Sequence, residues 1–409
     1  MNISIRQLAC AAGLLSMISL FPSAQAADGH GHGQGHGSHA ARPELGADAA
    51  FAADGTLWAV TRQADKGDQA LALRTSGDGG KTWSAQRRID NPSEPITARG
   101  EARPHIVMGP AGDIYVSYTS TVAPPHIGDI RFIRSQDGGK TFSRPMTVHA
   151  NRDRITHSFE SMAVDHAGRI YIAWIDGRGA AEAKEKQRRY AGSAVYYAVS
   201  EDRGASFKGD YRVADNACEC CRIGIALDQQ GKPVVMWRHV FAPNARDHAL
   251  SELAPDGKAG ALKRVTQDDW RIDACPHHGP SLAFGDDGRR HQVWFNGKEQ
   301  GGGAFYGSVP GDGTIKRPLR LGSEQASHPD VAAAGKHVAV AWKQFDGKAT
   351  SIIARLSADG GASWSERELA RTSGASDQPH LVSDGKRISL IWNTQDQGLL
   401  GFPLAATGK

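Results

Sequence analysis

The sequence predicts an all-β fold, a β-propeller of seven blades, with six blades as the alternative. Three observations carry that expectation. First, a strand–turn–strand unit of alternating apolar residues recurs seven times, as in "RPHIVMGPAGDIYVSY", "ESMAVDHAGRIYIAW" and "HPDVAAAGKHVAVAW". Second, each unit turns on a glycine (Gly55, Gly112, Gly168, Gly231, Gly288, Gly335 and Gly385), and period-2 strands at this spacing match blades. Third, a short motif, S-x-D-x-G-x-x-aromatic, recurs four times at Ser76–Trp83, Ser135–Phe142, Ser200–Phe207 and Ser357–Trp364.

Along the chain, residues 1–26 read as a signal peptide. Arg6 precedes an apolar run from Leu8 to Phe21, and Ala24-Gln25-Ala26 supplies an A-x-A cleavage site. The mature protein is therefore expected in the periplasm or secreted, and no later run is long and apolar enough to span a membrane. Residues 27–44 form a His-rich segment, with His30, His32, His36 and His39 among glycines, a composition suited to metal capture or to a solvating tail. The propeller is expected over 45–409. Its last unit lacks a fourth strand after "LLGFPLAA", and a strand at 40–46 would close the ring there.

The remaining features refine this plan. Residues 178–192 break the repeat as a charged insertion, a surface loop or short helix. Trp174, Trp237, Trp294, Trp342 and Trp392 recur at the ends of second strands and read as blade packing. Removing residues 1–26 takes away Arg6 and no acid, so 47 basic residues face 44 acidic ones. That near-neutral balance makes no electrostatic case for nucleic acid or an anionic membrane.

In the four-fold motif the Asp accepts backbone N–H bonds and the Gly takes φ > 0, so each copy is a tight turn with the aromatic packing back. The motif resembles the Asp-box, or BNR, repeat of sialidase-type β-propellers. The resemblance covers most of the mature chain and implies the fold. It also raises exo-α-sialidase-like glycoside hydrolysis as a function. Members that cleave sialic acid use three arginines on the substrate carboxylate, a Tyr–Glu nucleophile pair and an Asp acid/base. The first arginine stands in an Arg-Ile-Pro-like motif before the first box, and nothing before Ser76 matches it. Arg103, Arg222 and Glu160 lie at strand mouths, where a carboxylate pocket would form.

The cysteines point elsewhere. Cys218, Cys220 and Cys221 crowd "NACECCRIGIA", and Cys275 stands in "IDACPHHGPSLA". A chain this long does not need disulfide staples. Aligning the strand mouths sets Cys275 beside Cys218, His277 beside Cys220 and His278 beside Cys221, with His157 at the same level one repeat earlier. Thiolates and imidazoles on converging loops form a soft set suited to copper, with zinc second. C-x-C-C also resembles the motif of a family of periplasmic copper-resistance proteins of thioredoxin-like fold that bind a copper–thiolate cluster. The expected function is copper binding, storage or redox handling, with a periplasmic copper-handling protein as partner. A disulfide-stapled interaction scaffold is the bland alternative. His126, His149, His166 and His337 read as ordinary surface residues.

Overall fold

The computed structural model describes residues 43–123, 127–190, 192–274, 276–311 and 313–407. The expected signal peptide at 1–26, most of the His-rich segment, Cys275 and His126 lie outside the described residues. The fold is all-β, built of antiparallel sheets that resemble propeller blades. Four sheets have four strands in sequence order and the last has three. The third and fourth units share one eight-stranded sheet, because Ala217, ending the strand Lys208–Ala217, pairs with His239 of Pro233–Phe241.

Each unit opens on an inner strand. These are Ala47–Phe51, His105–Met108, His157–Val164, Gly224–Leu227, Ser281–Phe284, Ala326–Ala334 and His380–Ser383. Each touches the next in chain order, and His380–Ser383 also touches Ala47–Phe51. The seven turn glycines all adopt positive φ, which side chains with a Cβ rarely tolerate. The five recurring tryptophans are fully buried. Their indole N–H groups are held internally, as by Asp176 for Trp174 and the Asp377 carbonyl for Trp392. They pack the sheets.

Residues 43–46 are not a strand, so the expected closing strand is absent from them. Asn393 instead donates to the Leu45 carbonyl, and Gly46 N–H donates to the Ala98 carbonyl. The insertion folds as a helix, Arg178–Glu185, with Ala183 as its buried residue. Among the described residues no helix is long and apolar enough to cross a membrane.

Two inner strands carry bulges. The register slips between Ala173 and Ile175, opposite Phe159 and Glu160, and between Ser327 and Asp330. Phe159 and His328 take left-handed φ there, 57° and 48°. A bulge redirects side chains at the mouth of a strand, and here it presents Glu160 and His328.

The four S-x-D-x-G turns share one hydrogen-bond pattern between the third and fourth strands of their units. In the second, Ser135 Oγ donates to Asp137 and accepts from Gly139 N–H, while Thr141 N–H and Oγ1 donate to the Asp137 carboxylate. The turns join outer strands, away from the inner ones. Asp137→Ala is therefore expected to lower the melting temperature by a few degrees and leave metal content per folded chain unchanged. Thermal melts with metal analysis of the folded fraction check this. A large metal loss in well-folded protein would contradict it.

Candidate metal centre and axial charged network

The cysteine segment begins where two units join. Cys218 N–H donates to the Arg238 carbonyl at 2.8 Å, one residue beyond the Ala217–His239 pair. Cys218, Cys220 and Cys221 are each 1% exposed, whereas Glu219 points to solvent. The C-x-C-C spacing thus turns one polar residue out and three sulfurs in. Cys218 Sγ lies 3.9 Å from Cys220 Sγ and 3.2 Å from Cys221 Sγ. Both separations exceed the ~2.05 Å of a disulfide, so Cys218 is bonded to neither neighbour.

Around the sulfurs stand Phe159, Ile223, Trp237 and other apolar residues. Hydrogen bonds from Cys220 and Cys221 hold the Cys218 thiol well below its ordinary range, and the Arg238 charge adds to this. Burial pushes the Cys221 thiol up to about 12. The triad therefore favours the thiolate on Cys218, with Cys221 protonated until something displaces its proton.

Of the seven residues expected at the site, the structure brings these three together, their ligand atoms within 4.8 Å of one another. Cys275 is outside the described residues. His277 and His278 are not in that group. His278 stacks between Phe295, 4.1 Å away, and His328, 4.2 Å away, and its Nδ1 donates to the Pro276 carbonyl. His277 is half-buried in left-handed conformation, φ 52°. His157 packs face to face against His149, in a different cluster with Asp129. His149, expected on the surface, is fully buried. It follows the short strand Met146–Thr147, where no strand alternation reveals burial.

The inner strands enclose a cavity of about 350 Å³ lined by Asp48, Arg103, His105, Arg222, Asp330 and His380, among others. Glu101, fully buried, holds Arg222 of this lining. It accepts from Arg222, His328 Nδ1, Gln378 Nε2 and the N–H groups of Arg222 and Gly279. One carboxylate thereby ties together segments from five units. Burial opposes its charge, yet Arg222 and His328 hold it well below the usual carboxylate range.

A Cβ on Gly279 would lie 2.5 Å from the Arg222 carbonyl oxygen and 2.7 Å from Glu101 Oε2, so this position needs glycine to pack against both residues. His380 bridges Asp48 and Asp330. Burial disfavours its charge, but the two carboxylates raise it to about 9. Glu160 has an Oε1 without a partner, and burial raises its pKa. Arg103 donates to the Ala47 carbonyl and Gln378 and pairs with Asp377 at 3.6 Å. Arg222 also reaches the Pro329 carbonyl and Gln378. Sequence reading missed Glu101, Gln378, Asp48 and Asp330, which carry no local motif. The recurring Pro-His and His-Pro pairs at strand mouths were the one available signal.

No protein-family model matches the chain, and no curated protein matches it. Solved structures do. A polysaccharide lyase, Uly1, superposes with a TM-score of 0.54 at 8% identity, over 89% of this chain and 90% of that one. A Hadza microbial sialidase gives 0.50 at 13%, over 82% and 73%. A Dyadobacter fermentans protein of unknown function gives 0.50 at 15%, over 81% and 96%. At these identities the likeness is one of fold, to propeller-type and carbohydrate-active proteins. Beside that fold stand two side-chain clusters able to chelate a metal ion.

Proposed function

We propose that this chain is an exported Asp-box β-propeller of seven blades that binds a soft metal ion, copper, at Cys218, Cys220 and Cys221. The observation that carries the reading is the set of three buried thiols converging within 4.8 Å. Thiolate softness favours Cu(I), with zinc as the competing ion. Cys275, one repeat later in the sequence, is the proposed fourth ligand, and the His-rich segment delivers ions from the periplasm. Seven successive inner strands, the last against the first, support seven blades; the sheet shared by two units is the argument for six. Storage, or exchange with a copper-handling partner, is the role. Metal analysis of untagged protein taken from the periplasm tests it: bound copper is expected, and metal-free protein would overturn it.

A second reading, glycan processing, has the broader support of the fold comparisons. Its specific observation is the charged cavity lined by Arg103 and Arg222, with the buried Glu160, whose pKa burial raises, next to the lining residue Ser161 in the chain. Against sialoside cleavage, both arginines already spend their donors on protein acceptors. A fluorogenic sialoside is expected to stay uncleaved above background. Turnover lost on Arg103→Ala or Glu160→Gln would put this reading first.

A further inference from the structure

His149 and His157 take no part in the cysteine triad or the axial network. Their rings are fully buried and stacked, 3.8 Å between centroids and 7° between planes. Each ring directs Nδ1 at a backbone carbonyl, Asn151 for His149 and Gly128, at 3.2 Å, for His157. Arg152 approaches the first of these carbonyls too. A carbonyl only accepts, so Nδ1 carries the hydrogen in both rings, and in the neutral form Nε2 holds a lone pair.

The two lone pairs differ in what meets them. His149 Nε2 accepts from Ile130 N–H at 3.2 Å and lies 3.5 Å from Asp129 Oδ1. His157 Nε2 is buried without a hydrogen-bond partner, 3.7 Å from Asp176 Oδ2. That carboxylate already accepts from Trp174 and Arg178. A buried lone pair facing a carboxylate with no hydrogen between them is unfavourable, and a cation removes the conflict. The donor atoms of Asp129, His149 and His157 all fall within 4.8 Å of one another. Asp129, its side chain 35% exposed, opens the cluster to solvent.

We propose that Asp129, His149 and His157 form a second metal site, separate from the cysteines, for a divalent first-row ion such as zinc. Two neutral imidazoles and a carboxylate are a borderline donor set, unlike the soft thiols. The carbonyls on Nδ1 supply the orienting contact that metal-bound histidines use. Both Nε2 atoms must approach the ion to about 2.0–2.1 Å, so binding releases Ile130 N–H and tilts the stacked rings apart. The competing arrangement is a proton on His157 Nε2, giving an imidazolium paired with Asp176.

The test is Co²⁺ titration of the full-length protein in a Cys220→Ser background, read by visible absorption and by ions bound per chain. The N-terminal histidines are present in every variant and cancel in the comparison. Adding His157→Gln is expected to remove one bound Co²⁺ per chain, and adding Asp129→Asn to weaken the same site about tenfold or more. Equal uptake with and without His157→Gln would overturn the proposal. Should His157→Gln fail to fold, Asp129→Asn decides, and unchanged affinity overturns it. The intact triad is followed separately by its thiolate-to-cobalt charge-transfer band, which His157→Gln should leave unaltered. Failure of this site and failure of the cysteine reading are thus distinct results.

Discussion

Cys220→Ser is expected to abolish tight Cu(I) binding while the chain still folds. Cys220 contributes one of three sulfurs, and serine cannot replace a soft thiolate donor. The loss should exceed the 10–100-fold usual for an outer contact to a ligand. The fold survives because the repeats bury a large core that does not depend on one side chain. Wild-type binding should release protons, since burial holds the Cys221 thiol protonated at neutral pH. Anaerobic titration against a competing Cu(I) chelator, with thiols counted on the same sample, measures both effects. If the four mature cysteines emerge from the periplasm paired in disulfides and without copper, the scaffold reading replaces the metal one.

Glu101→Ala is the second large effect. It removes the carboxylate and leaves the Arg222 guanidinium, 14% exposed, without its ionic partner. Breaking a buried pair from one side costs about 3–5 kcal/mol. Glu101→Gln keeps the shape and removes the charge, so it should fall between the two. The acid limb follows from the direction of the shift. The folded pKa lies below the unfolded one, so the stabilisation is complete above the unfolded value of about 4.3. It is lost as pH falls from there toward the folded pKa. Denaturant melts between pH 3 and 7 should show wild type losing more stability in acid than Glu101→Gln. Identical acid limbs would contradict the role given to Glu101.

Much of the fold was legible in the sequence because it is written locally. Strand alternation, turn glycines such as Gly112 and the Ser135–Phe142 turn each depend on residues a few positions apart. The cysteine triad was legible for the same reason. Glu101 was not, because its partners Arg222, Gly279, His328 and Gln378 come from four other units. Aligning strand mouths by sequence also set His157 level with Cys220. The bulge at Phe159 and Glu160 changes the register of that strand, and His157 sits with Asp129 and His149 instead.

The pairing of Ala217 with His239 has a mechanical consequence. Neighbouring units that meet only through side chains can rock by repacking them. The third and fourth units instead share backbone hydrogen bonds, and a change in their tilt must break these. Cys218 continues that seam through its N–H to Arg238. The three cysteines therefore follow directly in the chain from a backbone-bonded joint between two units.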